Sequence, residues 1–194
     1  MLVHLTQEFG TRLRGRVQGR RHFARLCELL IDTPPGTAVF LDFTDIDLVT
    51  GSWLNAAFVP LVRWAADERN DLYPVACNAD PDVLEELSLV AGWTHTCFLV
   101  AEGPVPPRRA TVVGPLDHAQ RATLTAVLDL GVATGAGLER QMSGEQIGAT
   151  AWNNRLKDLH DKRLLRRERR GRERVYSPPV ERIVTESPHT GVRP

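Results

Sequence analysis

Apolar and polar positions change their period several times along the chain. Val39-Phe40-Leu41-Asp42-Phe43, preceded by Pro34-Pro35-Gly36, predicts a short buried strand. Leu72-Tyr73-Pro74-Val75-Ala76-Cys77 and Thr96-Cys97-Phe98-Leu99-Val100 predict two more, and residues 1–9 an edge strand. Between them the spacing lengthens. Leu54, Phe58, Leu61 and Ala65 recur at i, i+4, i+7 and i+11, one face of a helix. Pro60 inside that helix is expected to kink it or to cost about 3 kcal/mol. Val83, Leu84, Leu87 and Val90 mark a second helix, opened by Asp80 as N-cap and Pro81 as first helical residue. Phe23, Leu26, Leu29 and Leu30 support a third over 19–31. Strands alternating with helices over 1–102 predict an α/β sandwich with a mostly parallel sheet.

Gly103-Pro104-Val105-Pro106-Pro107 interrupts the pattern, and 103–115 reads as a linker with a short strand at Thr111-Val112-Val113. A three-helix pattern follows over 116–179. The first helix, over 116–130, turns Leu124, Val127 and Leu128 inward between Pro115 and Gly131. The second, over 135–142, is capped by Thr134 and carries Leu138 and Met142 on one face. The third, over 149–162, buries Trp152, Leu156 and Leu159 and exposes Thr150, Asn154, Lys157 and Asp161, with Asn153 on the flank. Residues 164–177 then read as a β-hairpin. A two-residue loop at Arg170-Gly171 would set Glu168 opposite Glu173. A three-residue loop, Arg169-Arg170-Gly171, pairs Glu168 with Arg172, Arg167 with Glu173 and Leu165 with Val175, and is the expected register. Residues 180–194 lack a pattern and read as a flexible tail.

Charge divides the chain along the same lines. The 194 residues carry 24 Lys+Arg and 24 Asp+Glu, a net charge of zero. The local balances are +4 over 1–30, −10 over 31–107 and +6 over 148–178. Such asymmetry points to parts with separate partners. It also allows the halves to attract, with the acidic one over the basic one. Arg makes up 22 of the 24 basic residues, which suits bidentate phosphate contacts and equally fits a GC-rich coding sequence. Cys27, Cys77 and Cys97 are odd in number and widely spaced, which fits reduced thiols and a cytoplasmic setting. No apolar run reaches the ~20 residues of a membrane helix, and the first residues lack the pattern of a secretory signal. No metal-ligand spacing, phosphate-binding glycine loop or Ser-His-Asp order stands out, so no cofactor, metal or enzymatic activity is expected. His95 and Cys97 read as a structural pair.

Two resemblances sharpen this. Val39-Phe40-Leu41-Asp42-Phe43-Thr44-Asp45-Ile46-Asp47-Leu48-Val49-Thr50-Gly51-Ser52-Trp53-Leu54 resembles the central motif of STAS domains, the fold of bacterial anti-sigma-factor antagonists, and resembles more closely a divergent STAS-like family. The resemblance covers about 1–102. It implies binding to a regulatory protein such as a kinase-type ATPase, and it aligns the antagonists' phosphorylated serine with Ser52. Thr50 and Trp53 stand where the antagonist motif has Asp and Gly. Ser52 is therefore a candidate phosphoacceptor, with helix N-capping as the plainer reading; a phosphate there would gain from the helix dipole and meet Asp45 and Asp47.

Residues 110–178, three helices and a basic hairpin, resemble a winged helix-turn-helix domain, with Ala151-Trp152-Asn153-Asn154-Arg155-Leu156-Lys157 on its recognition helix. The resemblance implies duplex DNA as partner. Thr150, Asn153, Asn154 and Lys157 would face bases or phosphates, and Arg166, Arg167, Arg169, Arg170, Arg172 and Arg174 would neutralise phosphates. The sequence thus predicts a DNA-binding regulator with a protein-binding STAS-like half. The alternative is a partner-switching adaptor working through protein contacts alone. A homodimer through the STAS-like half or the first of the three helices is expected by analogy.

Overall fold

The computed structural model describes residues 1–67 and 70–184. The chain opens with β1 (Leu2–His4), α1 (Leu5–Phe9), β2 (Arg12–Leu13), α2 (Arg16–Leu30), β3 (Ala38–Asp42), β4 (Leu48–Val49) and α3 (Gly51–Ala65). It continues with β5 (Tyr73–Cys77), α4 (Pro81–Thr94), β6 (Phe98–Ala101) and β7 (Arg109–Val113). The edge strand expected over 1–9 is shorter, because the chain turns into α1 after His4. Helix α3 runs unbroken through Pro60, its apolar face filled by Leu54, Phe58, Leu61 and Ala65. Asp80 caps α4 by accepting from Val83 N, with Pro81 at the first position.

After β7 come α5 (His118–Leu130), α6 (Gly135–Gln141), a 3-10 turn (Ser143–Glu145), α7 (Ala149–Asp161), β8 (Arg166–Arg170), β9 (Glu173–Ser177) and β10 (Arg182–Val184). Asp117 and Gln120 form a capping box on α5, and Thr134 caps α6 through Gly137 N. Ala133, between α5 and α6, forms an antiparallel bridge with Tyr176 of β9.

The main sheet is mixed and mostly parallel, in the order β1-β3-β5-β6-β7-β10. Strands β1, β3, β5 and β6 run parallel, β7 is antiparallel to β6, and β10 is parallel to β7. The short strand expected at Thr111-Val112-Val113 within the linker is present and starts two residues earlier, at Arg109. The segment expected to be a flexible tail returns a strand to the same sheet, Ile183 pairing with Ala110. Both strands bury a residue on the sheet's second face, Ala110 and Ile183, and that burial draws them in.

Every residue of β5 and β6 is buried, as expected of strands covered on both faces. The period-two alternation splits them between two layers. Val39, Leu41, Ala76, Phe98 and Val100 pack under α2, α3 and α4. Val75, Cys77, Leu99 and Ala101 pack against Leu124 of α5, Leu138 of α6, Trp152, Leu156 and Leu159 of α7, and Tyr176. The C-terminal helices therefore share their core with the sheet, which forms the middle of three layers.

Candidate nucleic-acid interface

Helix α7 buries Trp152, Leu156 and Leu159 and leaves Thr150, Asn153, Asn154 and Lys157 exposed, as the helical spacing predicted. Lys157 forms an i,i+4 ion pair with Asp161, which raises its pKa from the ordinary lysine value. Asn153 lies directly over Gly135, the first residue of α6: a Cβ at Gly135 would come within 2.5 Å of its Oδ1. Glycine there leaves the Asn153 amide its place over the start of α6.

The hairpin has a different register from the one argued from charge. Arg166 pairs with Ser177, Arg167 with Tyr176, Glu168 with Val175, Arg169 with Arg174 and Arg170 with Glu173. The loop is two residues, Gly171-Arg172, with Gly171 at a φ of 64° as the first turn position of such hairpins favours. The Glu168–Glu173 clash does not arise. The register is set by apolar anchors, Val175 and Tyr176, both buried, rather than by solvated ion pairs.

This register sorts the charges. Residues directly opposite share a face, and faces alternate along each strand. Arg167, Arg169 and Arg174 lie on one face with Tyr176; Arg170 and both glutamates lie on the other, where Arg170 Nη2 meets Glu168 Oε2 at 3.2 Å. Arg169 and Arg174 are exposed and directly opposite. Their face borders a groove of about 760 Å3 whose lining includes Thr134, Gly135, Asn153, Arg167, Arg169, Arg172 and Arg174 together with Glu168 and Glu173. Arg166 departs from the expected set. It is half-buried, its Nη2 donates to Pro179 O at 2.8 Å, and its guanidinium lies 5.9 Å from the Tyr73 ring centre.

In the other helix layer, the N-cap of α3 is Thr50, not Ser52. Thr50 Oγ1 accepts from Trp53 N at 3.3 Å and from Gly15 N at 3.2 Å. Ser52 is exposed within the first turn, and its hydroxyl shares a 3.1 Å hydrogen bond with Thr50. The carboxylate of Glu86 of α4 lies near Gly51, 2.8 Å from where a Cβ on that residue would stand. Beside it Trp93 is 72 % exposed, with Leu89 also exposed on α4. His95 and Cys97 are not a pair: His95 is the exposed left-handed C-cap of α4, and Cys97 is buried with Sγ 3.3 Å from Pro115 O.

Two polar clusters carry no local sequence signal. At the carboxyl ends of β1, β3 and β5, buried Asp42 accepts from Thr44 N and Oγ1 and from Asn78 Nδ2, and bonds His4 Nδ1 at 3.0 Å. Burial pushes its pKa up, but these bonds outweigh it and hold the carboxyl below the usual range. Beneath α7, Arg163 pairs with Asp71 at 2.9 Å against Tyr73 and His160. Asp71 lies 92 residues earlier, so no local motif could have announced the pair.

Among the described residues no helix is long and apolar enough to cross a membrane, and no cluster of His, Cys, Asp or Glu could hold a metal ion. No protein family, curated protein or solved structure matches the chain.

Proposed function

We propose that the chain is a DNA-binding regulator. The segment over 118–177 works as a winged helix on duplex DNA, and the helix layer around α3 and α4, STAS-like in its sequence motif, receives a regulatory protein of the kinase-type ATPase class. The observation that carries the DNA reading is the sorting of charge on the hairpin. Like charges directly opposite on a strand pair are unfavourable, yet Arg169 and Arg174 stand opposite each other on a face without carboxylates. A polyanion beside that face turns the repulsion into attraction, and the guanidinium fork matches phosphate.

The groove continues from these arginines to Asn153, whose amide suits a bidentate contact with adenine, while phosphates fix the register. The order α5, Ala133 bridge, α6, α7, β8, β9 supports the winged reading, since the bridge adds a third, minimal strand to the hairpin.

Titration of the full chain with fluorescent duplex DNA across a salt series tests this. Binding should weaken steeply with salt, and Arg169→Ala and Arg174→Ala should each flatten the slope by about 1. Absence of binding at low salt overturns the reading. The adaptor alternative, acting through protein contacts alone, draws on exposed Trp93 beside Gly51, the residue before Ser52. It would show as partner capture sensitive to Trp93→Ala in a protein that binds no DNA.

A further inference from the structure

Between the end of α7 and the first hairpin strand the chain makes one tight turn, and Arg163 sits in it. Its φ of 61° is left-handed, a conformation that costs a residue with a Cβ free energy and persists only where the surroundings determine it. The surroundings are unusually specific. The residue is 3 % exposed. Nε donates to His160 O at 2.9 Å, and Nη1 donates to Asp71 Oδ1 at 2.9 Å and to Ala65 O at 3.4 Å. Nη2 lies 3.0 Å from His160 Nε2, and the guanidinium lies 4.9 Å from the Tyr73 ring centre.

The arrangement defines the imidazole. His160 Nδ1 stands 3.1 Å from Leu165 O, which only accepts, so Nδ1 carries the proton and Nε2 accepts from Arg163. One neutral ring thus grips both the Arg163 side chain and the carbonyl just before β8. The groups facing it are Arg163, Asp71 and Arg167, with the Tyr73 hydroxyl and the Tyr176 ring. Asp71, itself left-handed at a φ of 42°, accepts a second hydrogen bond from Tyr73 OH at 2.9 Å. The same Tyr73 ring carries Arg166, the first residue of the hairpin.

We propose that Arg163 is the positioning residue of the arginine hairpin: gripped by Asp71 of the sheet half, it fixes where the hairpin leaves α7 and so sets the arginine face beside Asn153. An arginine cannot shed its charge, and a buried charge without its partner is strongly unfavourable. Loss of Asp71 therefore drives Arg163 towards water and loosens the turn above it. Asp71 is absent from the groove lining, so its substitution reads positioning rather than phosphate contact.

The test uses full-length Asp71→Ala, with Asp71→Asn, which keeps an accepting oxygen, as the milder variant that carries both readouts if the first does not fold. In the first readout, amide exchange over 164–177 should quicken at least tenfold in Asp71→Ala and less in Asp71→Asn, while the interior of α3 keeps its protection. Unchanged hairpin exchange, or an equal rise in α3 and hairpin, overturns the proposal.

The second readout rests on the DNA reading: affinity should fall about tenfold or more with the salt slope of the parent retained. Parental affinity in a folded variant, or a flattened slope, overturns it. If the parent protein binds no DNA, that reading alone falls, and the exchange measurement decides the role of Arg163 by itself.

Discussion

Arg169 and Arg174 stand directly opposite each other across the hairpin, on a face that carries Arg167 and no carboxylate. The relationship gives substitutions opposite signs in two assays. Arg169→Ala and Arg174→Ala should leave the free protein as stable as the parent or slightly more stable in urea unfolding, because a repulsion is removed. In DNA titrations the same variants should bind more weakly at every sequence. A stability loss matching the affinity loss would mean that the arginines serve the fold.

Gly135 leaves the Asn153 amide its place over the start of α6. Gly135→Ala pushes the Asn153 amide aside, and that side chain has solvent to move into. Stability is expected to change by less than about 1 kcal/mol. Discrimination between operator variants should fall as it does in Asn153→Ala, with the salt slope unchanged. Competition binding with base-substituted duplexes checks this.

Acid should weaken the fold through His160. Burial first, and the Arg163 guanidinium second, push its pKa down to about 4, against 6.5 for the ordinary group. The unfolded chain therefore binds the proton more readily between those values. The contribution is complete above pH 6.5 and is lost as pH falls towards 4, about 3 kcal/mol in all. Asp42, whose pKa is also lowered, adds a loss in the same direction at lower pH. Urea unfolding from pH 7 to 4.5 should show the decline, and His160→Gln should flatten it.

Thr50 accepts from two backbone N–H groups that belong to different elements, Gly15 before α2 and Trp53 in α3. Thr50→Ala should cost about 1–2 kcal/mol in urea unfolding, and Ser52→Ala only a few tenths. The reverse order would restore the capping role to Ser52.

The alternation of strands and helices through β6 was legible in the chain, and so were the buried stripe of α7 and the caps at Asp80 and Thr134. These rest on contacts within a few residues. Strand β7 was legible only at Thr111-Val112-Val113, since Pro and Gly crowd the residues before it, and β10 was obscured because exposed Arg182 opens it. Their place comes from burying Ala110 and Ile183 against helices far along the chain. The hairpin register was misjudged because exposed charge pairs were given more weight than the burial of Val175 and Tyr176. Arg163 looked like any other member of a basic run, since its partner lies in a different layer.

Strands β7 and β10 are parallel neighbours, so everything from Gly114 to Glu181 is the crossover that parallel pairing demands. A crossover is anchored at both ends. A protease cutting the hairpin at Gly171 would therefore leave two fragments that each own a strand of one sheet. They should travel together through a sizing column in native buffer and separate only in denaturant.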